Sequence, residues 1–245
     1  MTAVDNALRE AFAPTGVLRA SINFGNPVLA IQGTKGEPRG ISVDLATEIA
    51  RRLELPLEFV TFDAAGKSVA GVAAGDADFG FFAIDPVRGK EIAFTSPYVL
   101  IEGSYLVRAE SRIQSNDDVD RSGVRVAVGT GSAYDLFLTR ELKHAEIVRG
   151  STSPEVVNTF LRDELDVAAG VTQQLQADAE RLGGLRLLHG NFMVIRQAMG
   201  IAKSRGADAA AWLDEFISEA TRGGFVRAAI TRHQIDGVSV PQMAP

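Results

Sequence analysis

The chain has no cysteine among its 245 residues, which excludes disulfides, thiolate nucleophiles and cysteine metal ligands. That absence is compatible with an oxidising compartment without requiring one. Its three histidines, His144, His189 and His233, stand far apart and share no metal-ligand spacing, so they read as surface or capping residues. There is no excess of positive charge. The net charge is −6 with both signs interspersed, which leaves no basic footprint for nucleic acid. No apolar stretch approaches the roughly 20 residues of a membrane-spanning helix. The opening segment, residues 1–10, reads as a short amphipathic helix. It lacks both a basic n-region and an apolar h-region, so it is not a secretory signal. Either a leader has been removed, or the protein works where it is made. What remains is a chain that is 46% hydrophobic, enough for one large core or two small ones.

The apolar pattern alternates between strand and helix. Residues 18–22 and 57–62 read as strands. Between them Leu45, Ile49 and Leu53 form a stripe at helical spacing, with Asp44 as the expected N-cap. A shorter helix over 68–74 leads into a strand over 79–84. This alternation predicts a mainly parallel sheet covered on both faces by helices. The same grammar recurs in the second half, with strands at 124–128, 146–148 and 166–170. A helix is expected over 132–142, and another begins at Ser153 with Pro154 in its first position. The fold class is therefore α/β, as two similar lobes. Lobe 1 is expected to comprise residues 1–103 plus 197–245 and lobe 2 residues 104–196, with crossings near 99–107 and 193–202. A last helix carries Ala209, Trp212, Leu213, Phe216, Ile217 and Ala220 on one face and stops at Gly223-Gly224.

Two segments carry chemistry. The strand over 79–84 is entered through an acidic turn, Gly75-Asp76-Ala77-Asp78, and left through Asp85-Pro86 straight into a helix whose first turn presents Arg88. In open α/β sheets the carboxyl ends of strands face the ligand crevice. A guanidinium there offers a fork of donors suited to a carboxylate. Position alone equally suits a surface arginine paired with Asp85 or Glu91. The second segment, Gly129-Thr130-Gly131-Ser132, follows a strand and opens a helix, where exposed N–H groups and the helix dipole favour an anion. It is not a Walker loop, because no Gly-Lys-Ser/Thr follows. An ordinary capped turn is the plain alternative. Glu102 and Asp85 are the acids expected near the crevice, and no Ser-His-Asp set or catalytic pair stands out.

The run from Gly75 to Arg88, closed by Phe94-Thr95-Ser96-Pro97-Tyr98, resembles the solute-binding proteins of polar amino-acid uptake systems, periplasmic solute-binding protein family 3. Three further segments match in order: Gly40 to Ala46, Val124 to Ser132, and Thr221 to Gly237. The resemblance implies a two-lobe Venus-flytrap fold of the type II periplasmic-binding class, no cofactor and no metal. It further implies a monomeric binding protein that closes on a small solute and hands it to an ABC permease in the periplasm. It places the ligand carboxylate on Arg88 and ligand contact on Gly129, Thr130, Gly131 and Ser132. Departures from the pattern are equally specific. The family hydroxyl before the arginine is Ala83, and Phe81 stands where a small residue is usual. The aspartate that pairs with an α-amino group is replaced by Val171, which cannot offset the desolvation of an ammonium. The clamp aromatics are missing: one aligns with Asn26, with Asn23 in place of its acidic neighbour, and the other falls near residues 64–66. Asn23, Asn26, Lys67 and Gln173 would make the pocket polar, although Lys67 also reads as a solvated loop lysine. The reading is a binder of carboxylates lacking an α-amino group. Its rivals are a cyclohexadienyl-dehydratase-like enzyme and a cytoplasmic sensor on the same fold.

Overall fold

The computed structural model describes residues 4–242. The first three residues of the expected N-terminal helix lie outside that range. The helix itself, α1, spans Asn6–Phe12 and is capped by Asp5, whose Oδ1 accepts from the Leu8 amide at 2.8 Å. Contacts divide the chain into two compact units. One comprises residues up to Leu100 together with those from Arg196 onward, and the other spans Ile101–Ile195.

The first unit is built on β1 (Leu18–Asn23). A small hairpin follows, β2 (Ile31–Gln32) and β3 (Pro38–Arg39), then α2 (Ile41–Leu53), β4 (Leu57–Phe62), α3 (Ala65–Ala74) and β5 (Phe79–Ala83). β1 runs parallel to both β4 and β5, with Leu18 opposite Leu57 and Ala20 opposite Phe79. Its Leu18, Ala20 and Ile22 are fully buried. The stripe Leu45, Ile49 and Leu53 of α2 is buried as expected, but the helix begins three residues before Asp44. Its cap is Gly40, at φ 131°, where a Cβ would lie 2.4 Å from the Leu29 carbonyl oxygen, so only glycine fits. α3 likewise starts three residues before the expected Ser68, which puts Lys67 on a helix and not in a loop. β5 ends one residue early, leaving Ile84 exposed, and is followed by the long strand β6 (Ile92–Arg108).

The second unit starts with β7 (Arg125–Gly129) and α4 (Ala133–Glu141), with Ser132 as N-cap. It continues with β8 (Glu146–Gly150), α5 (Val156–Arg162), β9 (Val167–Val171), α6 (Thr172–Leu182) and β10 (Leu185–Leu187). β7 runs parallel to β8 and β9, while β6 is antiparallel to β9 and β10. Ser153 and Pro154 do not open α5, whose N-cap is Glu155. The backbone of Ser153 instead packs on Gly129, where an added Cβ would approach it to 2.8 Å. α6 and β10 follow from no pattern read in the sequence.

β11 (Met193–Ala202) pairs antiparallel with β5, Gln197 opposite Ala83. α7 (Ala207–Arg222) buries all six of the apolar residues expected on its face. The chain does not tail off there: Gly224, at φ 81°, separates it from α8 (Phe225–Arg232). Asp44, released from capping, instead accepts from Arg232 of the segment that ends α8, at 2.6 Å, and lies 3.0 Å from His233 Nε2.

An ion cluster ties the start of β5 to the start of β1. Asp78 is fully buried; its amide donates to the Arg19 carbonyl, and its Oδ2 accepts from the Arg19 amide, both at 2.8 Å. The guanidinium groups of Arg19 and Arg205 reach its Oδ1 at 2.7 and 2.8 Å. The second unit repeats the backbone part of this device. Asp166 donates to the Arg125 carbonyl and accepts from the Arg125 amide, but its side chain is 40% exposed. Removing one partner of a buried ion cluster costs about 3–5 kcal/mol, whereas an exposed pair contributes about 0–1 kcal/mol. Asp78→Ala is therefore expected to lower the urea midpoint far more than Asp166→Ala, and equal losses would refute the distinction.

Candidate functional site

In each unit the residues singled out by the sequence gather at the carboxyl edge of the parallel strands, where such sheets open to ligands. In the first unit this edge is formed by the ends of β1 and β5 and the start of α3. Beyond β5 the backbone folds back on itself. Asp85 Oδ1 accepts from the Val87 amide at 2.8 Å, and the Asp85 carbonyl accepts from Gly89 at 2.9 Å. Pro86 suits this aspartate-led turn because its φ is preset. The result is a single short 3₁₀ turn, Arg88–Lys90, in place of the expected α-helix. Arg88 Nη1 donates to the carbonyl of Ala83 at 3.2 Å, and the side chain is 7% exposed. Burial pushes its pKa down to about 10, opposed by the charge of Asp85. It is still a cation at neutral pH, held in a place that disfavours charge. Of the two acids considered as partners in the sequence, Asp85 is the one whose charge acts on it.

Phe81 stands on the same strand face as Ala83 and meets the edge of Tyr98 at 6.4 Å between ring centres. Tyr98 is fully buried, which pushes its phenol well above the usual range, against the effect of Ser42 and Gln197 beside it. Ser42 and Gln197 were not picked out by the sequence reading as site residues, and Tyr98 figured there only as the end of the run Phe94-Thr95-Ser96-Pro97-Tyr98. Asn23 and Asn26 use their side-chain oxygens locally, accepting from the amides of Gly25 at 2.8 Å and Val28 at 3.2 Å. Lys67 is exposed and pairs with Asp63 at 2.8 Å, one helical turn away.

In the second unit the turn after β7 differs from the expected anion cradle. The amide of Thr130 donates to the Gly150 carbonyl at 3.0 Å, that of Gly131 to Asp135 Oδ2 at 2.8 Å, and that of Ser132 to the Gly129 carbonyl at 3.1 Å. The amides expected to be exposed are thus engaged within the unit. The acceptor for Gly131, Asp135, was missed in the sequence. Its carboxylate is buried at the N-terminal end of α4 and also meets Arg149 Nε at 3.0 Å and the Thr139 hydroxyl at 3.3 Å. A signal for it existed: Ser132 and Asp135 have the spacing of a capping box, with Asp in the position usual for Glu or Gln, and Ser132 Oγ does accept from the Asp135 amide at 3.0 Å. Val171 closes β9 and is buried, and Gln173 is half-buried in the first turn of α6. Glu102 is exposed. Among the described residues no three histidine or acidic side chains converge as metal ligands.

Residues 18–233 match the family model of the bacterial extracellular solute-binding proteins, family 3. Among solved structures, the chain is similar to the solute receptor for L-cysteine of Neisseria gonorrhoeae. The two are 20% identical, with a TM-score of 0.80 and 94% of each chain covered. A mutant of ArgBP from T. maritima is 21% identical with a TM-score of 0.78, over 93% of this chain and 99% of that one. An ancestral amino acid-binding protein, described as a precursor of cyclohexadienyl dehydratase, is 18% identical with a TM-score of 0.76, over 91% and 97%. At these identities the likeness carries the fold alone, which is that of the type II periplasmic binding proteins.

Asp135 organises the turn through several bonds at once, so its loss leaves buried donors unpaired at about 1–3 kcal/mol. Asp135→Ala is expected to destabilise the protein on that scale and to speed hydrogen exchange at the Gly131 amide, with Asp135→Asn milder on both counts. Unchanged exchange at Gly131 in the alanine variant would show that the turn holds its shape without the carboxylate.

Proposed function

We propose, for a chain that belongs to family 3 of the bacterial extracellular solute-binding proteins, that it binds a small carboxylate-bearing solute in a cleft between two lobes. In this role it is the substrate-binding component of an ABC-type uptake system, and the permease is its partner. It acts as a monomer in the periplasm. The observation that carries this reading is Arg88, a cation held 7% exposed at the carboxyl edge of the sheet, in a setting that lowers its pKa to about 10. Burying a guanidinium is unfavourable unless a well-placed anion offsets it. The charge of Asp85 offsets part of that cost, and burial still outweighs it in lowering the pKa. A ligand carboxylate would complete the neutralisation, and the planar fork of arginine matches it with two parallel hydrogen bonds.

Closure is the mechanism. A solute seated on Arg88 gains its remaining contacts only when the second lobe swings over it, so binding shifts the open–closed equilibrium by the difference in affinity for the two states. Thr130, which is exposed, and Gly131 would meet the solute from that lobe. Because the amides of this turn already donate to Gly150, Asp135 and Gly129, contact there falls to the Thr130 side chain and to the close approach that glycine permits. Asn23, Asn26 and Gln173 would read polar groups elsewhere on the solute. Lys67, exposed and paired with Asp63, is the weakest member of the set.

Selectivity follows from Val171. The ammonium of an α-amino acid needs a partner once water leaves the cleft, and a buried valine supplies none. Carboxylates without an α-amino group are therefore the favoured class. A thermal-shift screen of amino acids, keto acids and small dicarboxylates identifies the solute, since saturating ligand raises apparent stability by several kcal/mol. With that solute, Arg88→Ala is expected to weaken binding by about 2–4 kcal/mol and Arg88→Lys to lose affinity as well, because a point charge cannot reproduce the fork. Binding by Arg88→Ala equal to that of the natural chain would refute the assignment. Calorimetry with matched pairs such as glutamate and 2-oxoglutarate is expected to favour the oxo acid. A consistent preference for the amino acid would mean that another acid holds the ammonium.

A further inference from the structure

The parallel strands of the first unit do not stay paired to their ends. β1 lies between β4 and β5, and the chain passes from β1 to β4 on one side before returning to β5 on the other. β1 pairs with β4 along all six of its residues, as far as Asn23 opposite Phe62. With β5 it pairs only at Ala20–Phe79 and Ser21–Gly80, whereas β5 follows β11 as far as Ala83 opposite Gln197. The ladder between β1 and β5 therefore stops short of their carboxyl ends. It does so where the strand order reverses, the point at which open sheets take small ligands. Asn23 and Asn26 follow from the β1 side of this gap, and the turn from Ala83 to Arg88 follows from the β5 side.

Donors and acceptors on the three turns that follow β1, β4 and β5 are unequally committed. Four side chains there carry oxygen acceptors. Asn23 and Asn26 accept from the amides of Gly25 and Val28, at 2.8 and 3.2 Å. Asp63 receives Lys67 on both oxygens, at 2.8 and 2.9 Å. Asp85 holds the Val87 amide, and its charge acts on Arg88. Main-chain acceptors are drawn in as well: the carbonyls of Phe62, Asn26 and Ala83 accept from Phe24, Leu29 and Arg88 Nη1. The asparagine nitrogens are the contrast. Only the oxygen of a side-chain amide can receive an N–H, so each amide is fixed with its Nδ2 on the other side. Neither Nδ2 has a hydrogen-bond partner among the described residues, and both asparagines are half-buried.

We propose that the solute is a 2-oxo acid, a class that rests on the carboxylate contact at Arg88 and follows from this surplus of donors. Arg88 takes the carboxylate from the β5 side, and Nδ2 of Asn23 or Asn26 donates to the neighbouring oxo oxygen from the β1 side. A 2-oxo acid presents acceptors alone at these two groups. A 2-hydroxy acid receives the same bond through its hydroxyl oxygen but brings a proton that the committed acceptors of these turns do not receive, and an ammonium brings three. The site thus selects against a hydroxyl as well as against an amine.

Sets that share one carbon skeleton isolate the group at C2. The probes are pyruvate, lactate and alanine; 2-oxoisovalerate, 2-hydroxyisovalerate and valine; 2-oxoglutarate, 2-hydroxyglutarate and glutamate; and phenylpyruvate, phenyllactate and phenylalanine. Each is titrated by calorimetry against the full-length protein. In the set that binds most tightly, the oxo acid is expected to bind about tenfold or more tighter than its hydroxy counterpart, the scale of one unpaired donor. Asn23→Asp and Asn26→Asp keep the oxygen that receives Gly25 or Val28 and exchange Nδ2 for an acceptor. At least one of them is expected to narrow the oxo-to-hydroxy ratio about tenfold while circular dichroism stays native. The added charge weakens both carboxylates and so leaves their ratio unaffected. Arg88→Ala is expected to weaken oxo and hydroxy acids alike. An oxo-to-hydroxy ratio near one in the natural chain, or a ratio unmoved by both aspartate variants, overturns the 2-oxo-acid class, and loss of binding in Arg88→Ala then leaves the carboxylate contact standing. Binding in none of the sets overturns the class as well, and full binding by Arg88→Ala overturns both.

Discussion

The buried carboxylate of Asp78 is the constraint on which the first unit depends. Its backbone and side chain exchange hydrogen bonds with the backbone of Arg19, which locks the start of β5 to the start of β1. Its second oxygen gathers two guanidinium groups, and Arg205 extends the tie to the Ala11 carbonyl at the end of α1. Apolar pairing alone tolerates a slip along a strand far better than this arrangement does, since a one-residue shift would strand a fully buried charge. With the lower ends of β1 and β5 pinned, their carboxyl ends emerge level. The Asn23 turn and the Ala83–Arg88 turn therefore share one edge of the sheet. Asp166 and Arg125 apply the same backbone exchange in the second unit, with a more exposed carboxylate.

The two ends of this sheet treat arginine in opposite ways. At the lower end two cations share one carboxylate that is fully desolvated, and both of its oxygens are engaged. At the carboxyl edge one cation leans on a backbone carbonyl and faces an aspartate already committed to its own turn. The first arrangement is structural and complete. The second buries a cation whose pKa desolvation lowers in spite of the charge of Asp85, and the ligand site proposed at Arg88 draws its support from that setting. In the second unit the corresponding edge already contains an internal anion, Asp135. The turn over 129–132 therefore carries an internal anion of its own, and the proposed anion contact is assigned to Arg88 in the first unit.

Membership of a solute-binding family sets the type of activity, while the departures from its pattern bear on the solute. Val171 removes a charge, Ala83 removes a hydroxyl, and Asn23 and Asn26 spend their acceptors on their own backbone. Likeness of fold to receptors of particular amino acids is consequently a poor guide to the ligand here.

Local patterns determined the alternation of strands and helices and the buried stripes of α2 and α7. These depend on neighbours within a few positions, where periodicity and turn chemistry act directly. Tertiary structure decided the rest. Asp44 reads as a helix cap until α8 brings up Arg232, 188 residues later, and Gly40 must cap because Leu29 crosses it too closely for any side chain. Asp78 reads as one acid in a turn, yet its partners lie 59 and 127 residues away. The amides after β7 look free in sequence because their acceptors, Gly150 and a carboxylate turned back from α4, are set by strand pairing and helix packing. Desolvation, which makes the burial of Arg88 costly, is a sum over everything packed around a group. No stretch of sequence contains that sum, because the groups that exclude water come from distant parts of the chain.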